Sequence, residues 1–266
     1  MFQTVAVIVL FGVGLVLGRW CGRSQIWWVG FTGSLLIVGT VMLGHRSMGL
    51  SVVVPFSWVI SPDVGPLLMA LVVPVMLSVL IVRLRERRKR AVVNAAMIFM
   101  FAFYSLVPVI MPLAVRGSLL AGRTVIDSHG VCLQSHGYTC GPASAVTCLK
   151  WLGVAGEEGE IAVSARSGPA VGTDPILMRD ALNKLYGSAG VSCDYRIVRD
   201  LDELKTPFIA TMWIPHVGGH YVAVLEVSRE FVIVGDPISG HGKWDRREFE
   251  QDWKGAAHEI SWHRSK

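Results

Sequence analysis

The sequence predicts two architectures in series: a bundle of about four transmembrane helices, then an α+β domain whose helices precede an antiparallel sheet. Three observations lead there. Apolar runs close to the ~20 residues needed to cross a hydrocarbon core crowd the first 115 residues. Charge divides at the same place: residues 1–115 hold nine of the 25 Lys and Arg but only two of the 20 acids, Asp63 and Glu86. From Arg116 onward, short helical patterns and then strand-like runs are separated by Gly, Pro and Asp, the order of an α+β domain.

Within the apolar region (1–115), the spans are expected at 2–17, 26–43, 64–82 and 91–115. Leu50 to Ile60 is apolar but short and contains Pro55, and reads as an interfacial or re-entrant segment. The first run lacks a basic start and a small-residue cleavage site, so it reads as a retained helix and not as a signal peptide. Cytoplasmic loops collect Lys and Arg. The cluster Arg83, Arg85, Arg87, Arg88, Lys89 and Arg90 is therefore expected inside, together with Arg19 and Arg23. Both ends of a four-span bundle then face out, which puts the C-terminal half on the extracytoplasmic side. Pro66, Pro74, Pro108 and Pro112 should bend the third and fourth spans by removing backbone donors. No Asp, Glu, His or Lys inside a span marks an ion path, so anchoring in a lipid bilayer is the reading. Gly14 and Gly18 form a small-xxx-small pair that could serve packing or a dimer face.

The charge split also bears on partners. The first part carries +7 and the rest −2, so the net +5 belongs to short loops between apolar runs, and no nucleic-acid partner is expected. The five cysteines follow no zinc spacing, and neither a metal nor a cofactor is indicated. Spacing does not decide whether Cys132 and Cys193 pair.

A linker at 116–127 should lead into a domain at 128–266. Its first helix is expected at Gly141 to Leu152, with Pro142 in the first turn and Gly153 as the stop. Helices should follow at Glu157 to Ala165 and at Pro175 to Tyr186, the latter capped by Asp174. Strands are expected at Val191–Val198, Pro207–Ile214, His220–Val227 and Phe231–Val234. A helix at Arg246–Trp253 and a strand at Ala257–Trp262 complete the domain.

The start of the first of these helices reads Gln134-Ser135-His136-Gly137-Tyr138-Thr139-Cys140-Gly141-Pro142-Ala143. Helix starts favour anions, and a thiolate is the form in which cysteine attacks. Nucleophilic catalysis needs a base and a group to orient it. His220 opens a strand after Gly218 and Gly219, and Asp236 ends the next one. A tight turn over Glu226 to Phe231 would bring both to the same open end. Gln134, six residues ahead of Cys140, can point an amide N–H at a developing oxyanion, with the Cys140 backbone N–H as second donor.

These residues carry a resemblance. The run from Gln134 through Cys140-Gly141 to Ala143, Gly-His-Tyr-Val-Ala-Val at His220 and Gly-Asp-Pro at Asp236 are similar to the bacteriocin-processing peptidases that remove double-glycine leaders. Gly172-Thr173, Asp-Leu-Asp-Glu-Leu from Asp200, Pro207 and Arg247-Glu248-Phe249 with Trp253 extend it over roughly 128–262. The resemblance implies a papain-like fold and a cysteine peptidase acting on a peptide or leader-peptide substrate. Cys140 would be nucleophile, His220 base, Asp236 orienting group and Gln134 oxyanion donor. In that family the peptidase precedes six transmembrane helices and an ATPase, whereas here it follows the apolar region. No Gly-x-x-x-x-Gly-Lys-Ser/Thr loop occurs in this sequence, so the chain does not read as an ATP-driven exporter itself, and a separate export transporter is the partner to look for.

Two other functions use the same residues: a groove that binds a peptide and recruits an export partner without cutting, and an acyl transferase that passes the acyl group to an amine. Cys140 taken alone could also be an inert core cysteine, the reading that suits Cys148. His136 could shape the pocket, whereas His216, His241, His258 and His263 read as surface or packing residues. Glu157, Glu158 and Glu160 read as a solvated first turn. Trp213, Trp244, Trp253 and Trp262 are expected in the core.

Overall fold

The computed structural model describes residues 2–46, 61, 63–214 and 218–263. The described residues form two compact units, Met1–Met111 and Pro112–Lys266.

The first unit is helical, and the last helix of the apolar region continues past its boundary at Met111. Helix α1 (Phe2–Arg23) and α2 (Trp27–Arg46) are followed by α3 (Gly65–Arg83) and α4 (Arg87–Phe101). A π-helical turn at Ala102–Leu106 carries α4 directly into α5 (Val107–Ala121). Among the described residues, three helices are long and apolar enough to cross a membrane: Phe2–Arg23, Gly65–Arg83 and the continuous Arg87–Ala121. Trp27–Leu43 is a shorter apolar helix. The 22 residues of α1 rise ~33 Å at ~1.5 Å each, enough for a ~30 Å hydrocarbon layer. The last helix outruns its apolar window of 91–115 at both ends, and residues 116–121, expected as linker, are helical. Arg and Lys are good helix formers, so hydropathy locates the apolar stretch but not the ends of its helix. The segment Leu50–Ile60 lies outside the described residues.

Glycines set the packing in this unit. A Cβ on Gly14 would lie 2.5 Å from the Leu71 carbonyl oxygen and 2.6 Å from Pro74 Cγ, and one on Gly18 would lie 2.6 Å from the Val75 oxygen. The small-xxx-small face is therefore filled by α3 of the same chain, which takes it away from a dimer. Pro66 stands in the first turn of α3, where no donor is lost, while Pro74 is internal. Ahead of Pro108 the chain widens into the π turn, in which the Val107 N–H reaches the Ala102 carbonyl. Arg83 ties one end together: its Nε donates to the Gly22 carbonyl at 2.9 Å and one terminal nitrogen to that of Ser24 at 2.8 Å. The Arg83–Arg90 cluster thus lies at the same end as Arg19 and Arg23.

The second unit is α+β. A two-stranded hairpin, β1 (Val125–Ile126) and β2 (Cys132–Leu133), leads to three helices, α6 (Cys140–Trp151), α7 (Glu158–Ser164) and α8 (Pro175–Tyr186). After them come β3 (Val191–Ile197), β4 (Phe208–Ile214), β5 (Gly218–Val227), β6 (Phe231–Asp236) and β7 (Gly240–Asp245), then α9 (Arg246–Asp252) and β8 (Trp253–Trp262). The sheet order is β3-β8-β4-β5-β6-β7, antiparallel throughout. Strand β7 and the hairpin are additions to the expected elements. Trp253, expected to end a helix, instead opens the last strand, which is four residues longer than its apolar run suggests.

Why β5 reads as an unbroken apolar run is visible in its side chains. Tyr221, Ala223 and Leu225 face one core with α6 and α8, while Val222 and Val224 face a second core with Phe249 of α9 and Leu201. Both faces are covered, so period-two alternation divides the strand between two apolar environments. Trp253 is buried, and Trp244 and Trp262 pack against the cores. Trp213, expected inside, is 54% exposed, because it lies near the end of β4 beyond the covered stretch that closes with Met212.

Candidate active site

Cys140 is the first residue of α6. Its N-cap, Thr139, spends its hydroxyl on the preceding turn and not on the helix: Oγ1 accepts from the His136 N–H at 3.1 Å and donates to the His136 carbonyl at 2.9 Å. The unpaired amides of the first turn are left to an incoming anion. Gly141 follows because the space is taken; a Cβ there would stand 2.8 Å from Met178 Sδ and 3.3 Å from Thr173 and Tyr221. The Cys140 thiol is free and half-buried.

Two hydroxyls on α6 fix what lies around that cysteine. Ser144 Oγ donates to the Tyr221 carbonyl at 3.0 Å, pinning the helix to β5 one residue from His220. Thr147 Oγ1 accepts from the Cys132 N–H at 2.9 Å, pinning it to β2 two residues before Gln134.

His220 is 2% exposed. Its Nε2 donates to Asp236 Oδ1 at 2.8 Å, and the Cys140 side chain interacts with the same ring. Burial opposes a charged imidazole here, but the hydrogen bond to Asp236, followed by hydrogen bonding and charge at Cys140, overrides it and raises the pKa to about 9. Asp236 is buried too, which would push its pKa up; hydrogen bonds from His220, Ser239 Oγ (2.6 Å) and the Ile238 N–H (2.9 Å) hold it below the usual carboxylate value. The turn that supplies the last two runs from Asp236 to Gly240, whose φ of +84° suits glycine.

Gln134 enters from β2. Its backbone N–H donates to the Pro237 carbonyl at 3.0 Å, which joins its loop to the turn beside Asp236. Its side-chain oxygen is buried without a hydrogen-bond partner. The structure thus brings Cys140, His220 and Asp236 into one chain of contacts and hangs Gln134 on the same turn.

Other expectations need correction. Glu158, read as solvated, is 1% exposed; its Oε1 accepts from the Ser135 N–H at 2.9 Å and from Ser135 Oγ at 3.0 Å, partners that replace water. Glu157 and Glu160 are exposed as expected. His258 is fully buried between Tyr195 and Tyr221, its Nε2 donating to the Pro175 carbonyl at 2.8 Å, and burial lowers its pKa to about 4. His136 shares a 2.9 Å hydrogen bond with Ser135 Oγ in the loop before Cys140, and His241 stacks on His129. His216 lies outside the described residues. The five cysteines are free thiols. Burial pushes Cys132 and Cys193 up to about 12 and Cys148 higher still, so these three are poor nucleophiles. Ser239 and the buttresses Ser144 and Thr147 were not singled out from sequence. An Asp with a Ser three residues on is a turn signal that could have found Ser239.

Three helices ahead of an antiparallel sheet, with a cysteine at the first helix start against a buried histidine and aspartate, define an α+β domain of the cysteine-peptidase class. Residues 128–263 match the Peptidase C39 family, and the chain belongs to that family. This agrees with the resemblance to the double-glycine-leader peptidases carried by the motifs at Gln134, Cys140, His220 and Asp236.

An uncharacterized protein of Methanothermobacter marburgensis is 30% identical over 133 residues, 50% of this chain and 89% of its own length. Among solved structures, the peptidase domain of Streptococcus ComA, a bi-functional ABC transporter involved in a quorum-sensing pathway, is similar at 20% identity. It covers 53% of this chain and 100% of that one, with a TM-score of 0.44. A double-glycine-motif protease from an AMS/PCAT transporter, in complex with its leader peptide, is similar at 16% identity over 53% of this chain and 95% of that one, with a TM-score of 0.44.

Proposed function

We propose that this chain is a membrane-anchored cysteine peptidase that cleaves a peptide or leader peptide through Cys140, His220, Asp236 and Gln134. The observation that carries the reading is the placement of His220: a buried ring that donates to Asp236 Oδ1 at 2.8 Å and interacts with the Cys140 side chain.

A histidine that stays protonated beside a cysteine suits a thiolate and imidazolium pair. The Cys140 sulfur attacks the peptide carbonyl carbon, and the carbonyl electrons move onto oxygen. The Cys140 backbone N–H and the Gln134 side-chain amide would receive that oxyanion. As the C–N bond breaks, His220 gives its proton to the departing amine, leaving a thioester. The now neutral His220 takes a proton from water, the hydroxide adds to the thioester, and the acid product leaves with the thiolate and imidazolium restored. Asp236 keeps the ring oriented throughout.

Family membership supports a peptide substrate, and the resemblance suggests a small residue such as Gly before the scissile bond. The distribution of Lys and Arg supports an extracytoplasmic domain held by four membrane crossings, with Trp27–Arg46 as the second. A separate export transporter would be a natural partner.

The test is a peptide-library profile of the full chain in detergent micelles, with Cys140→Ala as control. Cleavage of a defined set of peptides that falls at least ~10³-fold in the variant is the expected result. Cleavage that survives the substitution would remove Cys140 from the chemistry. A wild-type chain that binds library peptides without cutting them would leave only the binding-module reading.

A further inference from the structure

We infer that Glu158 is a positioning residue for the loop that presents Gln134, an inference that rests on the peptidase reading above. The side chain of Glu158 is 1% exposed, and Oε2 is buried with no hydrogen-bond partner. A buried carboxylate with one oxygen unpaired is costly, and an apolar side chain would fill the same space more cheaply. What the carboxylate alone supplies is Oε1, the acceptor for both the backbone N–H and the hydroxyl of Ser135.

Ser135 is bonded to Gln134, and the loop from 134 to 139 is held at three points. Gln134 N–H is held by the Pro237 carbonyl, Ser135 by Glu158, and the His136–Thr139 turn by the Thr139 hydroxyl. Without the middle point, the Gln134 backbone hangs on one hydrogen bond. An amide donor aimed at an oxyanion loses its effect when it moves by about an ångström, so looseness here falls on the transition state more than on substrate binding.

Glu158 is in turn fixed by the chain that leaves the apolar helices. Thr124 Oγ1 accepts from the Glu158 N–H at 3.0 Å and donates to Glu157 Oε2 at 2.6 Å, filling the place of an N-cap that α7 lacks. One residue on, Gly159 lies so close to the Leu119 carbonyl oxygen that a Cβ would collide with it, and Leu119 is 1% exposed. Residues 119–124 therefore belong to the support of the candidate oxyanion site, although they precede the family match at 128–263.

The experiment compares the full chain with its Glu158→Ala, Glu158→Gln and Thr124→Val variants in micelles. Three readouts are taken: kcat and KM for the peptide that the library profile selects, the rate of Cys140 alkylation by iodoacetamide, and amide hydrogen exchange over residues 134–139. Alkylation displaces iodide and needs no oxyanion donor, so it separates the two machineries. Glu158→Ala should lower kcat at least ~10-fold with KM and alkylation within about two-fold of wild type, and should speed exchange at Ser135. Glu158→Gln keeps an acceptor oxygen and should recover most of kcat; Thr124→Val should shift kcat and exchange the same way by less. Wild-type kcat and exchange in Glu158→Ala would overturn the inference, as would a parallel loss of kcat and alkylation. If Glu158→Ala does not fold, the ranking of Thr124→Val below wild type with unchanged alkylation decides, and an unmoved kcat there overturns it. A wild-type chain that never hydrolyses peptide fails the peptidase reading instead, and Ser135 exchange still decides whether Glu158 holds the loop.

Discussion

The hydroxyls of the two units find their partners at different range. In the apolar helices, hydroxyls such as Thr32 and Thr40 return to carbonyls one turn back on their own helix, and close approach is made by Gly14, Gly18 and Gly22. In the second unit, buried polar side chains reach across the sequence: Ser144 to Tyr221, Thr147 to Cys132, His220 to Asp236 and Glu158 to Ser135. The difference teaches where chemistry can reside. A helix that satisfies itself can sit in lipid and anchor, whereas long-range polar pairing holds side chains from distant segments together, as a reactive site requires.

That contrast can be broken in either unit, with unequal consequences. The larger effect belongs to the paired region: Gln134→Ala should cost ~10²–10³ in kcat if its amide serves the oxyanion. Iodoacetamide should still alkylate Cys140 at the wild-type rate, and an equal fall in both rates would place Gln134 outside that role. The smaller effect belongs to the glycine seam. Gly18→Val puts a Cβ 2.6 Å from the Val75 carbonyl oxygen and 2.7 Å from Ser78 Cβ, and should destabilise the helical unit by ~1–3 kcal/mol. Thermal unfolding in micelles, followed by tryptophan fluorescence, reads this. An unchanged midpoint would mean that α1 does not pack on α3 through this face.

What was legible in the sequence follows the range of the interactions that decide it. Helix α8 is readable to the residue because its signals are local, with Pro175 in the first turn and Asp174 Oδ1 accepting from the N–H groups of Ile176 and Leu177. Cys140, His220 and Asp236 stand out in the sequence because nucleophilic catalysis calls for those residue types and the family resemblance rests on the motifs that hold them. Strand β7 is not, because Gly240-His241-Gly242-Lys243-Trp244-Asp245 has little apolar alternation and pairs only with β6 at the sheet edge. Glu158 is hidden for a different reason. Its burial depends on Ser135, 23 residues earlier, and on the Thr124 hydroxyl, and neither leaves a periodic trace. Trp213 misleads because size and apolarity favour burial, while its place near the end of β4 leaves it outside.

Cys140 and Asp236 together raise the His220 pKa above the usual histidine range, and the pH dependence of kcat/KM for the selected peptide reads out that shift. Activity should fall on the alkaline side as His220 loses that proton near pH 9. Because Asp236 helps to raise the histidine pKa, Asp236→Asn should carry this alkaline limb to lower pH. A rate that keeps climbing through pH 9, or a limb that does not move in Asp236→Asn, would mean that His220 does not hold its proton through these two partners.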